Sequence, residues 1–364
     1  MTPGGEPSPG PIRLVAFPRD RENPYQELLY GHLRAEGDDV DYLRPRSQWR
    51  LVPSLVRARR AGYTVFHLHW LWPFRDGSPR TARLRYWHFR VVLAVARALG
   101  QTVVWTAHNV LPHDPVFPDD IAACRALARS SDLVIAHSHG ALAELSAIGV
   151  RPRRTAVIGH GSYIGVYPGE ATRAEARQRL GLPPDAFVYL FLGLIRSYKG
   201  IDELVAAYRL ARSPGTTLLI VGSCKEPRLR RLLAEEVDTG GVIWHDGFVD
   251  SDDVQGYFAA ADVAVLPYRR IGTSGSALLA FSFGTPVVTT SSVALEAVPA
   301  DAFYAYDGSV AGLRDALVLA REDAAREALG ERGRRYAASL DWDEIGRRTR
   351  DAIRSVTRPR SGPS

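Results

Sequence analysis

Apolar residues in this chain fall into short runs of strand length, each followed by a stretch where they return every three or four positions. Ile12–Phe17 is the first run, and Pro24–Glu36 after it has helical spacing and stops at Gly37. Asp39–Leu43, Thr64–Trp70, Thr102–Thr106, Leu133–Ala136 and Thr155–Ile158 continue the strand series. Helical patterns lie between them at Leu51–Ala61, Thr81–Leu99, Ile121–Ser130 and Gly140–Ile148. After a polar connector at Pro168–Gly181 a second series begins, with strands at Val188–Leu194, Thr217–Gly222, Val242–Phe248, Val263–Pro267, Pro286–Thr290 and Phe303–Tyr306. Its helices start near Gly200, Pro227, Asp252 and Ser276, and Trp342–Val356 closes the chain with another helical pattern. Regular alternation predicts an α/β protein with parallel, doubly wound sheets, and two series predict two Rossmann-like domains, 12–168 and 169–340. Ligands of such sheets bind outside the carboxyl ends of the strands, so both domains are expected to aim loops into a central cleft.

Composition narrows the class. A chain of 364 residues is long for one core and suits two domains. Its 46% hydrophobic and 24% charged residues are those of a globular enzyme. No apolar run approaches the ~20 residues of a membrane span. Residues 1–11 have neither the basic start nor the apolar core of a signal peptide, so they read as a disordered tail on a cytoplasmic protein. Residues 357–364 read as a second tail. Cys124 and Cys224 are the only cysteines and predict no disulfide in a reducing compartment. The net charge of +6 is mild, and its arginines are not set with base-stacking aromatics, which argues against nucleic acid. Anionic substrates or a lipid surface fit it better.

The densest chemistry lies between Gly193 and Pro286. A strand ends at Gly193, and Arg196 and Lys199 follow three residues apart. Thr273, Ser274, Gly275 and Ser276 open an apolar helix that stops at Gly284-Thr285-Pro286. Two cations and a ring of small-residue amides at strand ends make a diphosphate site. Taken singly, the cations also suit a solvated turn and the Ser/Thr loop an ordinary helix cap.

These two motifs resemble those of the GT-B glycosyltransferases, specifically family 4 and its relatives that use nucleotide-sugar donors. The resemblance implies a GT-B fold in which helix 341–356 returns to the first domain. It implies transfer of a hexosyl unit from a nucleotide-diphosphate sugar to a hydroxyl of a glycan, glycolipid or small-molecule acceptor, without a cofactor or metal. Arg196, Lys199 and the amides of Ser274–Ser276 would then stabilise the leaving diphosphate. Strand-end backbone at Gly222, Phe248, Val249 and Tyr268 would meet the nucleobase. The paired glutamates of family 4 fall here on Ile271 and Leu279, so a retaining mechanism is not supported by resemblance, and Glu296 is left as a ribose ligand or a surface carboxylate. A nucleotide-sugar 2-epimerase or a non-catalytic GT-B partner subunit would share the architecture.

On the acceptor side, His108-Asn109 ends a strand within His-Asn-x-x-Pro-His-Asp, a pattern seen in related transferases. His108 is the first candidate for general base, with Asp114 and His160 behind it. Arg19, Asn23, Tyr25, His69, Asn109 and Tyr163 are candidate acceptor contacts, though Arg19 to Tyr25 also suits a helix cap and the His160–Tyr163 loop a hinge. His67/His69 and His137/His139 each point one way on a strand, but no third ligand at telling spacing accompanies them, so zinc is not expected. Finally, Arg80 to Val92 mixes cations, aromatics and aliphatics at helical spacing, which suits either peripheral contact with the inner face of an anionic membrane or a packed helix with snorkelling arginines.

Overall fold

The computed structural model describes residues 10–75, 79–112, 114–239, 241–269, 275–290 and 296–357. The two predicted tails fall largely outside them, and Ile271, Thr273 and Ser274 wholly so. The chain forms two compact units, residues 1–159 with 342–364, and residues 160–341.

Unit 1 begins β1 (Arg13–Phe17), α1 (Tyr25–Ala35), β2 (Asp39–Tyr42), α2 (Leu51–Arg60), β3 (Val65–Leu68) and α3 (Ala82–Ala98). It continues β4 (Thr102–Ala107), α4 (Asp120–Ser130), β5 (Leu133–Ala136), α5 (His139–Ala147) and β6 (Thr155–Val157). The strands form one parallel sheet in the order β2-β1-β3-β4-β5-β6. The three central strands are buried over their whole length, which explains why they read as continuous apolar runs.

Unit 2 contains α6 (Arg173–Arg179), β7 (Phe187–Leu192), α7 (Ile201–Ala211), β8 (Thr216–Val221), α8 (Pro227–Thr239) and β9 (Val242–His245). Then follow α9 (Ser251–Ala260), β10 (Val263–Leu266), α10 (Gly275–Ser282), β11 (Val287–Thr290), β12 (Tyr304–Tyr306), α11 (Val310–Glu322) and α12 (Arg326–Ala338). Its sheet, also parallel, has the order β12-β11-β10-β7-β8-β9. The final helix α13 (Trp342–Val356) belongs to unit 1, where Arg350 Nε meets the buried Asp38 Oδ2 at 2.7 Å and a Cβ at Gly346 would collide with His32.

Two details differ from the sequence expectation. The units divide after Gly159 rather than near 168, because Tyr163 is buried in the core of unit 2 and its backbone N–H donates to Ser282 Oγ at 2.9 Å. The connector Pro168–Gly181 contains α6, opened by a capping box between Thr172 and Glu175 and tied down by Arg173 and Arg177 on the buried Asp262.

Candidate active site

In unit 2, glycines let three strand ends close up on one another. Gly193 and Gly222 follow β7 and β8 at φ 140° and 143°, and a Cβ on Gly222 would lie 2.0 Å from the Gly193 carbonyl oxygen. The Gly193 and Gly222 amides donate to Val221 and His245 at 2.9 Å each. Gly200, at φ 67°, is as tight against the Pro267 carbonyl beyond β10. Between Gly193 and Gly200 the chain makes a single turn, Ser197–Lys199, with Arg196 directly before it and Lys199 at its end.

Arg196 and Lys199 are half-buried, and neither has a carboxylate partner among the described residues. The acids nearby are committed elsewhere. Glu226 accepts the Ser197 amide and hydroxyl, and Asp202 and Glu203 bind Arg269 at 2.8 Å each. Lys199 Nζ lies 5.3 Å over the Tyr268 ring and 5.8 Å over Phe191, and 3.1 Å from where a Gly193 Cβ would stand. Burial holds its pKa below the usual lysine value, with the Arg196 charge adding to that against an opposing contribution from Tyr198. A desolvated lysine beside a half-buried arginine, neither with a carboxylate partner among the described residues, is an arrangement that suits an anion.

The start of α10 lies beside this turn through Tyr268, whose hydroxyl donates to Ser276 Oγ at 2.9 Å and is pushed up to about 12 by burial. Tyr163 reaches the same helix start, its hydroxyl oxygen 3.5 Å from where a Gly275 Cβ would stand. The Tyr163 hydroxyl also meets His160 Nε2 at 3.2 Å. His160 Nδ1 must carry the proton, because it lies 2.7 Å from the Gly161 carbonyl, which only accepts. Of the other expected donor contacts, Val249 is half-buried, while Phe248 is 61% exposed and Glu296 is exposed.

Unit 1 is arranged differently. β3, β4 and β5 lie side by side, and the residue after each carboxyl end is a histidine: His69, His108 and His137. Five hydrogen bonds join them to one another and to His67, Tyr30 and Thr106, and a sixth ties them to the Ile158 carbonyl. His137 Nδ1 donates to the Ile158 carbonyl at 2.9 Å, which leaves Nε2 to accept from His108 Nδ1 at 3.2 Å. His108 Nε2 then accepts from His69 Nδ1 at 3.0 Å, and His69 Nε2 from the Tyr30 hydroxyl at 2.6 Å. Tyr30 in turn accepts from His67 Nδ1 at 2.8 Å, and His67 Nε2 from Thr106 Oγ1 at 2.8 Å. Every ring in this ladder is satisfied as a neutral imidazole with its proton on Nδ1. Burial enforces that state, lowering His67 to about 3, His137 to about 4 and His69 well below its ordinary value.

His108 is thus held on both nitrogens, with Trp70 stacked on its ring at 4.4 Å and Tyr25 edge-on at 4.7 Å. Tyr25 also stands edge-on to His69, His137 and Trp342. Asp114 is ion-paired with Arg75, and Arg19 with Glu27 at 3.0 Å while lying over the Tyr42 ring. Asn23 Oδ1 accepts the Tyr25 amide at 3.0 Å, a local cap at the start of α1, and Asn109 is half-buried. The structure therefore gathers Tyr25, His69 and His108, and it gives Arg19 and Asn23 partners of their own. Sequence reading missed Tyr30, Thr106 and Trp70 and weighed His67 and His137 only as zinc ligands. The usable signal was a histidine directly after each of three consecutive strands. Among the described residues no group of three or more His, Cys, Asp or Glu side chains is placed to hold a metal ion.

Two family models match the chain, Glycosyltransferase Family 4 over residues 12–162 and Glycosyl transferases group 1 over residues 186–323. A GDP-mannose:glycolipid 4-beta-D-mannosyltransferase of Xanthomonas campestris is 29% identical over 276 residues, covering 74% of this chain and 70% of that one. Among solved structures, sucrose-phosphate synthase of Thermosynechococcus elongatus is similar with a TM-score of 0.75 at 21% identity, covering 95% of this chain and 98% of the other. Anabaena HepE, solved with UDP and glucose, gives a TM-score of 0.72 at 16% identity, covering 94% and 99%. At those identities the likeness is one of fold.

Proposed function

We infer the reaction from the family: the chain is a GT-B glycosyltransferase, of family 4 type in its first half and of group 1 type in its second. We propose that it transfers a hexosyl unit, mannosyl by likeness to the glycolipid relative, from a nucleoside-diphosphate sugar to a lipid-linked glycan. The observation that carries this reading is the pair of half-buried Arg196 and desolvated Lys199, without a carboxylate partner among the described residues, at the glycine-lined strand ends of unit 2. As the sugar–phosphate bond breaks, negative charge grows on the leaving diphosphate. Arg196 offers a fork of donors to its oxygens and Lys199 a point charge, and both are in place before the reaction. The start of α10, at Gly275 and Ser276, adds backbone donors. No metal is needed for this charge balance.

Unit 1 takes the acceptor in this reading. We assign His108 a positioning role there rather than that of a base. An imidazole that accepts from one ring and donates to another has no lone pair to offer, and its buried neighbours are held neutral. α3 presents its exposed residues to an anionic membrane surface, where a lipid-linked acceptor resides.

Incubating the full chain with labelled GDP-mannose, UDP-glucose or UDP-N-acetylglucosamine, with and without a lipid extract, tests the reading. Label is expected in the lipid phase only when the extract is present. Epimerised nucleotide sugar formed without any acceptor, or no turnover of any donor, overturns it.

A further inference from the structure

A second cluster of cations stands in unit 1, well separated in sequence from Arg196 and Lys199. A cavity of about 710 Å³ is lined by Arg75, Arg80, Arg83 and Arg85 on one side and by an apolar wall from Pro115 to Pro118 on the other. Asp114 answers Arg75, and Arg85 is buried with a guanidinium N–H 2.6 Å from Thr81 Oγ1. Arg80 and Arg83 are exposed and have no carboxylate partner among the described residues. Asp120 stands behind the wall, where its carboxylate accepts the Val116 and Phe117 amides, so among the described lining residues the unanswered charge is that of Arg80 and Arg83.

The position of that charge makes it costly. α3 begins at Ala82, and no acidic residue stands in its first turn. The amino end of a helix already carries partial positive charge, which favours anions and disfavours cations. Arg80, Arg83 and Arg85 crowd that end, so the fold concentrates like charge where a bound anion relieves it.

The surroundings say what kind of anion. Along α3, Leu84, Trp87 and Val91 are 58%, 60% and 48% exposed and recur at helical spacing, beside the cationic cluster. Arg90 lies over the Tyr86 and Trp87 rings, at the edge of that stripe. Cations at one end, an apolar wall within and an apolar stripe outside match a phosphate head joined to a hydrocarbon. The number of arginines favours a head with two or three negative charges over a singly charged phosphodiester.

We propose that this cavity binds the diphosphate head of a lipid, with Arg80 and Arg83 as its principal ligands and Val116 and Phe117 against the first carbons of the chain. The proposal rests on the glycolipid-acceptor reading above and names the part of the acceptor that unit 1 grips.

Farnesyl diphosphate serves as a short soluble probe, titrated calorimetrically into the full chain with inorganic diphosphate and farnesol as separate arms. Each titration is run with and without saturating GDP, which occupies the donor residues. Farnesyl diphosphate should bind more tightly than either fragment, and R80A/R83A should weaken it about tenfold or more, since a charge-assisted hydrogen bond is worth about a factor of ten. K199A should leave it unchanged. Equal binding to wild type and R80A/R83A, equal affinity for inorganic diphosphate, or loss of binding in GDP each overturns the proposal. The lipid-extract assay separates the two readings. Full transfer by R80A/R83A sinks the cavity proposal alone, whereas arginine-dependent binding in a chain that transfers nothing sinks the transferase reading alone.

Discussion

The two units place their chemistry at the same point of the same fold, the carboxyl ends of central parallel strands, yet charge is handled in opposite ways. Unit 2 brings up Arg196 and Lys199, desolvates the lysine and gives neither a carboxylate partner among the described residues. Unit 1 brings up His67, His69, His108 and His137 and satisfies their ring nitrogens with one another, Tyr30, Thr106 and a backbone carbonyl. A site left short of charge recruits a charged ligand. A site closed in neutral hydrogen bonds holds a shape. The first suits a diphosphate and the second an uncharged glycan hydroxyl, which is the contrast on which the proposed division of donor and acceptor between the units rests.

The largest effect that bears on this contrast is expected from Lys199→Ala. Removing a preorganised charge contact to the leaving diphosphate should lower kcat by about 10²–10³-fold. Steady-state kinetics at saturating donor will show it, and near wild-type turnover would remove the charge-deficient reading of unit 2.

His108→Ala sharpens the other side. A general base contributes about 10²–10⁴-fold, whereas a positioning ring should cost less than about tenfold in kcat and leave the pH dependence of the rate unmoved. The same variant should unfold at lower denaturant, because His69 loses its acceptor and His137 its donor. Loss of a titrating limb from the pH–rate profile would return the base role to His108.

A gentler effect is expected from acid. The folded-state pKa values of His67 and His137 lie at about 3 and about 4, and that of His69 is also lowered, all below the ordinary value of 6.5. The unfolded chain therefore binds protons first as pH falls, so the ladder's stabilisation is complete above about pH 6.5 and drains away as pH drops toward about 4 and then 3. Denaturant midpoints of unit 1, read through its own tryptophans across that range, should fall with pH. A midpoint independent of pH between 6.5 and 4 would show that the rings are not held neutral.

Much of this was legible in the chain. Strand-length apolar runs and helical spacing marked both series of elements because burial of parallel strands leaves a continuous apolar signal. α6 lay in a connector read as polar, although Thr172 and Glu175 carried a readable capping box. α11 and α12 were passed over as well. Arg196 and Lys199 were findable because they follow Gly193 within six residues, so a single local segment carries both of the proposed diphosphate ligands.

The sequence by itself determined two βα series, the glycines that end their strands and the cations that follow, since each is a matter of local backbone and spacing. Only the tertiary structure decided how those cations would be left and the histidines closed. The rungs His69 to His108, across neighbouring strand ends, and Tyr30 to His69, from α1 to the end of β3, each join residues 39 positions apart, and no local spacing specifies such a pairing. The arginine cavity likewise needs residues 75–85 beside residues 115–118, and α13 needs Asp38 to receive Arg350 from 312 positions away. A hydrogen bond or an uncompensated charge depends on which groups are neighbours after folding, and sheet order sets that while periodicity does not.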